Sequence, residues 1–475
     1  MCERVQIEGG GIDLRFIKMW NIVMENQKKS SGQQKIKISR RDFMGAAAAV
    51  AAFTFVPKRV IAGSASNKLN IAGIGVGGRG ASDLQALESE NIVALCDVDL
   101  DRAKGTIKKH PDAKLYRDFR EMLDKEAGNI DAVVIGAPDH IHAPAAIRAM
   151  KMGKHVYCEK PMAHTIFEAR EMARVARQTG VVTQMGNQGH AGEGLRLYKE
   201  YIQAGAIGKV KEVHVWSDRA GTPDRAWWPQ GVTAPEGSEP VPETMDWDLW
   251  LGPAKWRPYN SAYAPFKWRG WFDFGCGALG DMAVHNADPA FFALDLDAPV
   301  AVEAETDEVN NDTFPKWNII HYYFPARGAR PAVKMTWYDG AKLPPRPADL
   351  NEGLNLGSNG ILFVGENGSL LGGSHAGTPR IIPEAKRKEY GKPPKTLPRS
   401  PGHHQEWAEA CKTGKPEDAK SGFWYAGPFT EALLVGNLAV RLKKRVEWDS
   451  KAMRSPNCPE ADNYITKFYR AGWRL

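Results

Sequence analysis

The residue types that could carry out chemistry lie in two separate segments. Lys160 follows a short apolar run in HVYCEKP, and Asp281 and His285 stand four positions apart in GALGDMAVHNAD. Residues with this spacing share one face of a helix. An imidazole can accept a proton, a neighbouring carboxylate can orient the ring, and an ammonium group can stabilise a developing alkoxide. The set suits proton removal from an alcohol as it is oxidised, and the alternative is a helix cap beside a core histidine.

A glycine-rich turn supplies a second candidate site. GVGGRG places Gly75, Gly77 and Gly80 in G-x-G-x-x-G order between an apolar strand and a predicted helix. Such glycines permit a tight turn and close approach to a pyrophosphate, which the helix N-terminus attracts. Asp97 ends the next strand, 22 positions after Gly75, and a carboxylate about 20 residues on can hold the ribose hydroxyls. NAD is therefore favoured, nearby arginines leave NADP open, and the alternative is an ordinary turn with a surface aspartate.

The elements that must position these residues alternate between strand and helix over residues 68–187. Apolar strand runs separated by helices of about 10–15 residues predict a parallel sheet, at whose carboxyl edge ligands bind. Lys160 ends one of these strands and should reach the same edge as the glycine turn. His140 and His142 follow another strand with no carboxylate or Cys at ligand spacing nearby, so they are interpreted as polar groups of a loop. Asp281 and His285 lack a third ligand, so no metal site is predicted there either.

Beyond residue 187 the pattern changes to half-exposed strands, an Asn-Gly hairpin and two C-terminal helices. This pattern predicts an α+β domain with a mostly antiparallel sheet. A stretch rich in Trp, Pro and Gly, residues 220–275, has little regular period. Its Trp227, Trp228 and Trp268 could stack on the apolar faces of sugar rings or pack a large loop.

Charge and cysteine content exclude some classes of protein. Residues 1–60 hold 11 Lys and Arg against 5 Asp and Glu, so most of the formal charge of +7 lies there. The near-neutral remainder carries no footprint for nucleic acid. Six scattered cysteines without CxxC spacing argue against a disulfide framework.

The N-terminal segment indicates export. Arg40 and Arg41 precede an Ala-rich run within SRRDFMGAAAAVAAFTFV, and that run is shorter than the ~20 residues a membrane span needs. The segment resembles a twin-arginine signal, which implies contact with the twin-arginine translocase and a periplasmic location, and the alternative is a buried Ala-rich helix. Three parts are predicted: an extension with signal over 1–65, a Rossmann domain over 66–187 and a substrate and oligomerisation domain over 188–475.

GVGGRG, CDVD, APDHIHA, CEKP and GALGDMAVHNAD occur in the order found in the Gfo/Idh/MocA oxidoreductases, which the chain resembles over about residues 68–292. The resemblance implies a Rossmann domain plus an α/β domain with a large open sheet, commonly used to form homo-oligomers. It also implies that the Lys160–Pro161 bond is cis. The sequence departs from many members at residues 187–190, Asn-Gln-Gly-His, and in the Trp-rich stretch.

By the same resemblance, Lys160, Asp281 and His285 are the catalytic set, with His285 the base. Gly75, Gly77, Gly80 and Asp97 would hold the cofactor, and the residues lining its nicotinamide side would be Pro138, His142 and Glu159.

Three functions follow as hypotheses. The first is an exported NAD-dependent oxidoreductase acting on a hydroxyl of a sugar, glycoside or cyclitol, with a tightly bound cofactor as in glucose–fructose oxidoreductase. The second is glycoside hydrolysis through transient oxidation and elimination by the same residues. The third is a non-catalytic sugar-binding protein, against which the intact set of Lys160, Asp281 and His285 argues.

Overall fold

The structure, a computed structural model, describes residues 68–222 and 225–475. Its first part is a six-stranded sheet in the order β3-β2-β1-β4-β5-β6, with the paired strands parallel throughout. This is the strand order of a dinucleotide-binding Rossmann domain. The strands are β1 (Asn70–Ile74), β2 (Asn91–Cys96), β3 (Lys114–Tyr116), β4 (Ala132–Ile135), β5 (His155–Cys158) and β6 (Thr183–Met185). The helices are α1 (Arg79–Ala86), α2 (Leu100–Lys109), α3 (Phe119–Lys125), α4 (Asp139–Lys151) and α5 (Ile166–Thr179).

Local sequence explains where these elements begin. The four residues of β4 are all buried, as expected for a central strand covered by helices on both faces. Asp99 caps α2 and Asp118 caps α3 by accepting backbone N–H bonds. Thr165 and Glu168 form a reciprocal capping box at the start of α5. The predicted alternation of strand and helix is therefore confirmed.

The second part is built on an eight-stranded sheet in the order β15-β14-β13-β7-β12-β11-β10-β16. All neighbouring pairs are antiparallel except β7 with β12. Its strands are β7 (Val210–Trp216), β10 (Ala301–Thr306), β11 (Asn318–Phe324), β12 (Val333–Tyr338), β13 (Gly360–Gly365), β14 (Gly368–Gly372), β15 (Arg380–Ile382) and β16 (Val446–Glu447); β8 (Gly221–Thr222) and β9 (Arg225–Ala226) form a separate ladder. The predicted large, mostly antiparallel sheet is confirmed.

The helices of this part are α6 (Glu193–Gln203), α7 (Trp247–Leu251), α8 (Val284–Asn286), α9 (Asp288–Leu294), α10 (Glu384–Tyr390), α11 (His403–Thr413) and α12 (Phe423–Leu442). Two of them return to the Rossmann domain. On α11, Trp407 and Cys411 share a buried cluster with strand residues such as Val134. On α12, Gly427 passes so close to α5 that a Cβ there would lie 2.6 Å from Ala173 Cβ. The two sheets thus share one continuous core.

The predicted export signal and the whole of residues 1–65 lie outside the described residues. Within the described ranges, no helix is long and apolar enough to cross a membrane. The same part of the chain holds no group of three or more His, Cys, Asp or Glu side chains arranged to bind a metal ion.

Candidate active site

The glycine turn between β1 and α1 is shaped by residues that cannot carry a side chain. Gly75 has a φ of +72°, and a Cβ there would lie 2.5 Å from the backbone nitrogen of Ala137. A Cβ on Gly80 would lie 2.0 Å from the carbonyl oxygen of Gly75. The start of α1 at Gly78 has no side-chain cap. This leaves its first N–H groups open to an anion, as a bound pyrophosphate requires.

Asp97 ties this turn to the end of β2. One carboxylate oxygen accepts the Gly77 N–H at 3.0 Å, and the other accepts the Asp99 N–H at 3.0 Å. Burial raises the pKa of Asp97, although these backbone N–H groups oppose the rise. Gly75, Gly77, Asp97 and Pro138 line a cleft of about 850 Å³, its open mouth included. Its glycine backbone and carboxylate fit a dinucleotide.

A segment distant in sequence covers this cleft. Leu100 N–H donates to Thr244 O at 3.1 Å, Asp246 N–H donates to Val98 O at 2.8 Å, and Arg117 Nη1 donates to Thr244 O at 2.9 Å. The side chains that this segment adds to the cleft lining are Met245, Leu249 and Trp250, and a later part of the chain adds Pro265 and Trp268. We call residues 242–251 the roof. The sequence left this stretch without assigned structure, because its helix α7 is only five residues long and its other main-chain contacts are with the loop after β2.

Two of the residues expected at the nicotinamide side point into the protein. Glu159 is 4% exposed and accepts from Arg79 Nε at 3.0 Å and from Gln188 Nε2 at 2.8 Å. Both ring nitrogens of His142 lie 2.8 Å from backbone carbonyl oxygens, one of Pro161 and one of Ala137. Glu159 therefore ties Arg79 of the glycine turn to the strand that ends at Lys160, and His142 holds the turn that follows Lys160.

Lys160 lies at the carboxyl edge of the parallel sheet, and its peptide bond to Pro161 is cis. Its ammonium group donates to Asp281 Oδ1 at 2.8 Å and to the Asp281 carbonyl oxygen at 3.0 Å. Arg269 Nε reaches the same carboxylate oxygen at 3.2 Å and also lines the cofactor cleft. Lys160, Asp281 and Arg269 thus form one charged cluster, which borders the cleft through Arg269.

Burial alone would raise the pKa of Asp281, but the Lys160 ammonium and Arg269 guanidinium outweigh it and lower that pKa to about 2. Close enough to interact electrostatically with all three residues of the cluster, Asp139 is 3% exposed and accepts the Cys276 N–H at 3.1 Å. Burial raises the pKa of Asp139 to about 7. The site therefore pairs a firmly ionised carboxylate with a carboxyl group that titrates near neutrality.

The segment carrying Asp281 and His285 differs from the predicted regular helix. It runs as a π-helix over Leu279–Ala283 and continues as α8. The wider π turn changes the angular relation of the two side chains, and such turns are frequent at functional sites. His285 Nδ1 is buried without a hydrogen-bond partner among the described residues. Burial, and then the nearby Lys160 ammonium, hold the pKa of His285 well below 6.5, so the ring is neutral at pH 7.

Sequence reasoning missed three residues near this site. His375, on the loop after β14, stacks on His285 with ring centroids 4.1 Å apart. Arg219 lies 3.6 Å over the ring of Trp227. Arg269, Arg219 and His375 come from segments without periodicity, and only the fold brings them near Lys160.

The three tryptophans singled out in the sequence differ in exposure. Trp227 is 44% exposed, whereas Trp228 and Trp268 are 2% and 7% exposed, so these two pack within the fold.

Asp288, seven positions after Asp281, belongs to a separate cluster that is buried. His190 Nδ1 is 2.9 Å from Asp288 Oδ2, and both side chains are 1% exposed. Asp288 also accepts from Tyr425 Oη at 2.6 Å and from Asn187 Nδ2 at 3.1 Å. Asn187 and His190 belong to the stretch that departs from the family pattern, and here they join α9 to α12.

Family comparisons agree with this architecture. Residues 69–187 match the model described as "Oxidoreductase family, NAD-binding Rossmann fold", and residues 193–335 match "Oxidoreductase family, C-terminal alpha/beta domain". Both models are of the Gfo/Idh/MocA group, and together they cover more than half of the chain. The chain therefore belongs to the Gfo/Idh/MocA oxidoreductase family.

Individual relatives are more distant. Inositol 2-dehydrogenase of Salmonella typhimurium is 28% identical over 165 residues, which are 34% of this chain and 48% of that protein. The 2,7-anhydro-N-acetylneuraminate hydratase of Mediterraneibacter gnavus is 31% identical over 127 residues, 27% of this chain and 33% of that protein. The chain thus spans about half the length, or less, of these curated relatives.

Among solved structures, the WlbA dehydrogenase of Bordetella pertussis, in complex with NADH and UDP-GlcNAcA, aligns with a TM-score of 0.55 at 18% identity. That alignment covers 80% of this chain and 99% of the other. At this identity the likeness supports the fold.

Proposed function

We propose that this protein is an exported NAD-dependent oxidoreductase that oxidises a hydroxyl of a sugar, glycoside or cyclitol and keeps its cofactor bound. The observation that carries the proposal is the position of Arg269, which lines the dinucleotide cleft and also contacts the Asp281 carboxylate that Lys160 holds. A hydroxyl-binding cluster thus borders a nucleotide cleft. The names of the relatives, inositol 2-dehydrogenase among them, support the substrate class.

In this proposal the glycine turn and the start of α1 hold the pyrophosphate, and Asp97 faces the adenosine ribose. Bound nicotinamide would supply a hydride acceptor. Lys160 donates a hydrogen bond to the substrate oxygen, and its positive charge stabilises the alkoxide character that develops there. His285, neutral because its pKa is lowered, accepts the hydroxyl proton. Asp281 keeps the Lys160 ammonium in place and compensates its charge.

Retention of the cofactor is supported by the roof. Its main-chain hydrogen bonds to the loop after β2 cover the cleft with Met245 and Trp250. An exported enzyme meets little free NAD, so a cofactor that is loaded before export and recycled in place would suit it.

The test uses the chain from about residue 66, folded in the cytoplasm and purified without added nucleotide. The protein is denatured and the released nucleotide is identified by absorbance and mass. Near-stoichiometric NAD is expected, followed by its reduction when myo-inositol, methyl glycosides or free sugars are added to the native protein. Failure to carry or bind NAD(H) or NADP(H) would refute the cofactor role. A loaded protein whose nicotinamide no carbohydrate reduces would refute the oxidoreductase.

A second candidate reaction is glycoside hydrolysis, favoured by the similarity to a hydratase of an anhydro sugar. Transient oxidation of one ring hydroxyl by a bound nicotinamide would acidify the adjacent C–H bond, and elimination would then expel the aglycone. Water would add to the resulting enone, and return of the hydride to the ketone would restore the hydroxyl and complete the hydrolysis. The same Lys160 and His285 would serve. Release of 4-nitrophenol from an aryl glycoside without net NADH formation or an added acceptor would favour this reaction.

We also propose export through the twin-arginine translocase to the periplasm and assembly into a homo-oligomer. Replacing Arg40 and Arg41 by Lys should leave the protein in the cytoplasmic fraction, whereas processing of that variant in the periplasm would refute this route.

Light scattering on the purified protein tests the proposed homo-oligomer, and a monomer mass would refute it.

A further inference from the structure

The loop of residues 372–377 brings a second imidazole against the proposed base. The rings of His375 and His285 are stacked at 4.1 Å with an interplanar angle of 29°. His285 is 4% exposed, whereas His375 remains solvent-exposed. The exposed ring therefore covers one face of the buried ring.

Several features hold this loop in place. His375 and Ala376 have positive φ angles of 56° and 54°, a conformation that costs energy for residues with a side chain and that clusters at functional sites. A Cβ on Gly189 would lie 2.3 Å from His375 O, and one on Gly194 would lie 2.0 Å from Ala376 O. Close packing against these two glycines therefore fixes the position of His375.

A chain of hydrogen bonds also fixes the proton on its ring. Asn286 Nδ2 donates to Trp216 O at 2.9 Å, so Asn286 Oδ1 is the acceptor at the other end of the amide. That oxygen accepts the His375 N–H at 3.2 Å and the Ser374 hydroxyl at 2.8 Å. Ser374 Oγ has then donated its only hydrogen, so its 2.7 Å contact with His375 Nδ1 requires an N–H on the ring. Nε2 of neutral His375 is left as an acceptor.

We propose that His375 Nε2 accepts a hydrogen bond from a substrate hydroxyl next to the one that His285 deprotonates, which makes His375 a specificity-determining residue. This inference rests on the proposed function. Two stacked rings 4.1 Å apart address neighbouring positions of one small molecule. In stacked rings the nitrogen atoms point outward along the ring planes and not toward the other ring. The two histidines therefore do not pass a proton directly from one ring to the other.

The charged surroundings keep this acceptor neutral. The face of the ring that packs against His285 is desolvated, and this partial desolvation, followed by the Lys160 ammonium, lowers the pKa of His375. Arg219 and Arg79 act in the same direction, and Asp281 opposes them. The ligand chemistry that fits is a hydroxyl donor, such as the vicinal diol of a sugar or cyclitol.

The experiment pairs the NAD-loaded wild type and His375→Ala with substrate analogues. kcat/KM is measured for myo-inositol, methyl β-D-glucopyranoside and their monodeoxy derivatives. His375→Ala should lower kcat/KM roughly 3- to 10-fold on the parent compound, the size of one neutral hydrogen bond. The wild type should lose a similar factor on one deoxy derivative, on which the variant loses nothing more. His375→Asn tolerates the backbone and offers an acceptor, so it should restore part of the loss.

Controls separate this hydrogen bond from a structural effect. His110→Ala, at the far end of α2, should behave as the wild type. Ser374→Ala frees the ring proton and should weaken the same discrimination to a lesser degree if His375→Ala proves unstable. Equal losses on every derivative, or unchanged kcat/KM in His375→Ala, would overturn the inference.

Failure of the proposed function is distinguishable. If no carbohydrate reduces the nicotinamide, the same compound pairs are compared by calorimetric binding to the NAD-loaded protein. A hydroxyl-specific loss of affinity in His375→Ala would then support the contact without the redox reaction. Absence of any carbohydrate binding by the wild type would overturn it.

Discussion

Two aspartates seven positions apart, Asp281 and Asp288, each have a candidate histidine partner, and their surroundings differ. Asp288 and His190 are hydrogen-bonded at 2.9 Å, are 1% exposed and satisfy each other together with Tyr425. Asp281 instead contacts Lys160 and Arg269, while His285 Nδ1 has no partner in the described part of the chain.

The difference in hydrogen bonding between these two groups shows which observation points to a catalytic residue. By pairing geometry alone, the Asp288–His190 pair resembles a catalytic dyad more closely. Its hydrogen bonds are satisfied within the core, however, so it has nothing to offer a substrate and contributes to stability. His285 instead keeps a buried ring nitrogen without a partner among the described residues, near the charged cluster that borders the nucleotide cleft through Arg269. Unsatisfied groups at a cleft are therefore the better sign of function.

The largest effect is expected from His285→Ala, which tests whether this histidine is the general base. Loss of a general base is expected to lower kcat by about 10²- to 10⁴-fold, with the bound nucleotide retained. Single-turnover reduction of the resident cofactor measures the effect. Normal turnover in this variant would remove His285 from the reaction.

Lys160→Met should follow, with kcat reduced by about 10²- to 10³-fold because the developing alkoxide loses its cation. Lys199→Met is the matched control, since Lys199 is also largely buried and bonds Asp295 at 2.8 Å on another part of the surface. Steady-state kinetics with the best carbohydrate compares the two. Equal kcat in both variants would argue against a role for Lys160.

Asp288→Asn probes the buried Asp288–His190 pair and should show the reverse pattern. In either orientation the amide NH2 replaces one acceptor oxygen and faces two of the three groups that now contact the carboxylate. Stability should therefore fall by about 3 kcal/mol, while kcat per folded molecule stays within about twofold. Urea unfolding and active-site titration with the bound nucleotide measure the two quantities. A large loss of kcat at unchanged stability would reverse the assignment.

Asp139→Asn tests whether the raised pKa of Asp139 makes the stability of the folded protein depend on pH. The pKa of Asp139 is about 7 in the folded protein, against about 3.9 when unfolded. Between these values the folded state keeps a proton that the unfolded state releases, so wild-type stability falls as pH rises from about 4 to 7. The variant should lack this pH dependence, which in the wild type amounts to a change on the order of a few kcal/mol in the free energy of unfolding. Urea midpoints at pH 5 and pH 8 test it, and parallel changes in both proteins would contradict it.

The sequence by itself determined the features that depend on local pattern. Alternating apolar runs predicted the parallel sheet. Gly75 and Gly80 could be assigned to the turn after β1, and Asp97 to the end of the next strand, because their spacing indicates where each strand ends. Lys160 could be placed at the same edge because parallel strands end together. These inferences need only local geometry and the rule for sheet edges.

Only the tertiary structure decided which side chains meet. The inward orientation of Glu159 and His142, the roof over the cleft and the stacking of His375 on His285 depend on contacts between segments far apart in sequence. The spacing of four positions predicted that Asp281 and His285 share one face of a regular helix. The segment is instead a π-helix, and Asp281 contacts Lys160 and Arg269. Side-chain partners are set by packing across the whole chain, and local periodicity carries no record of them.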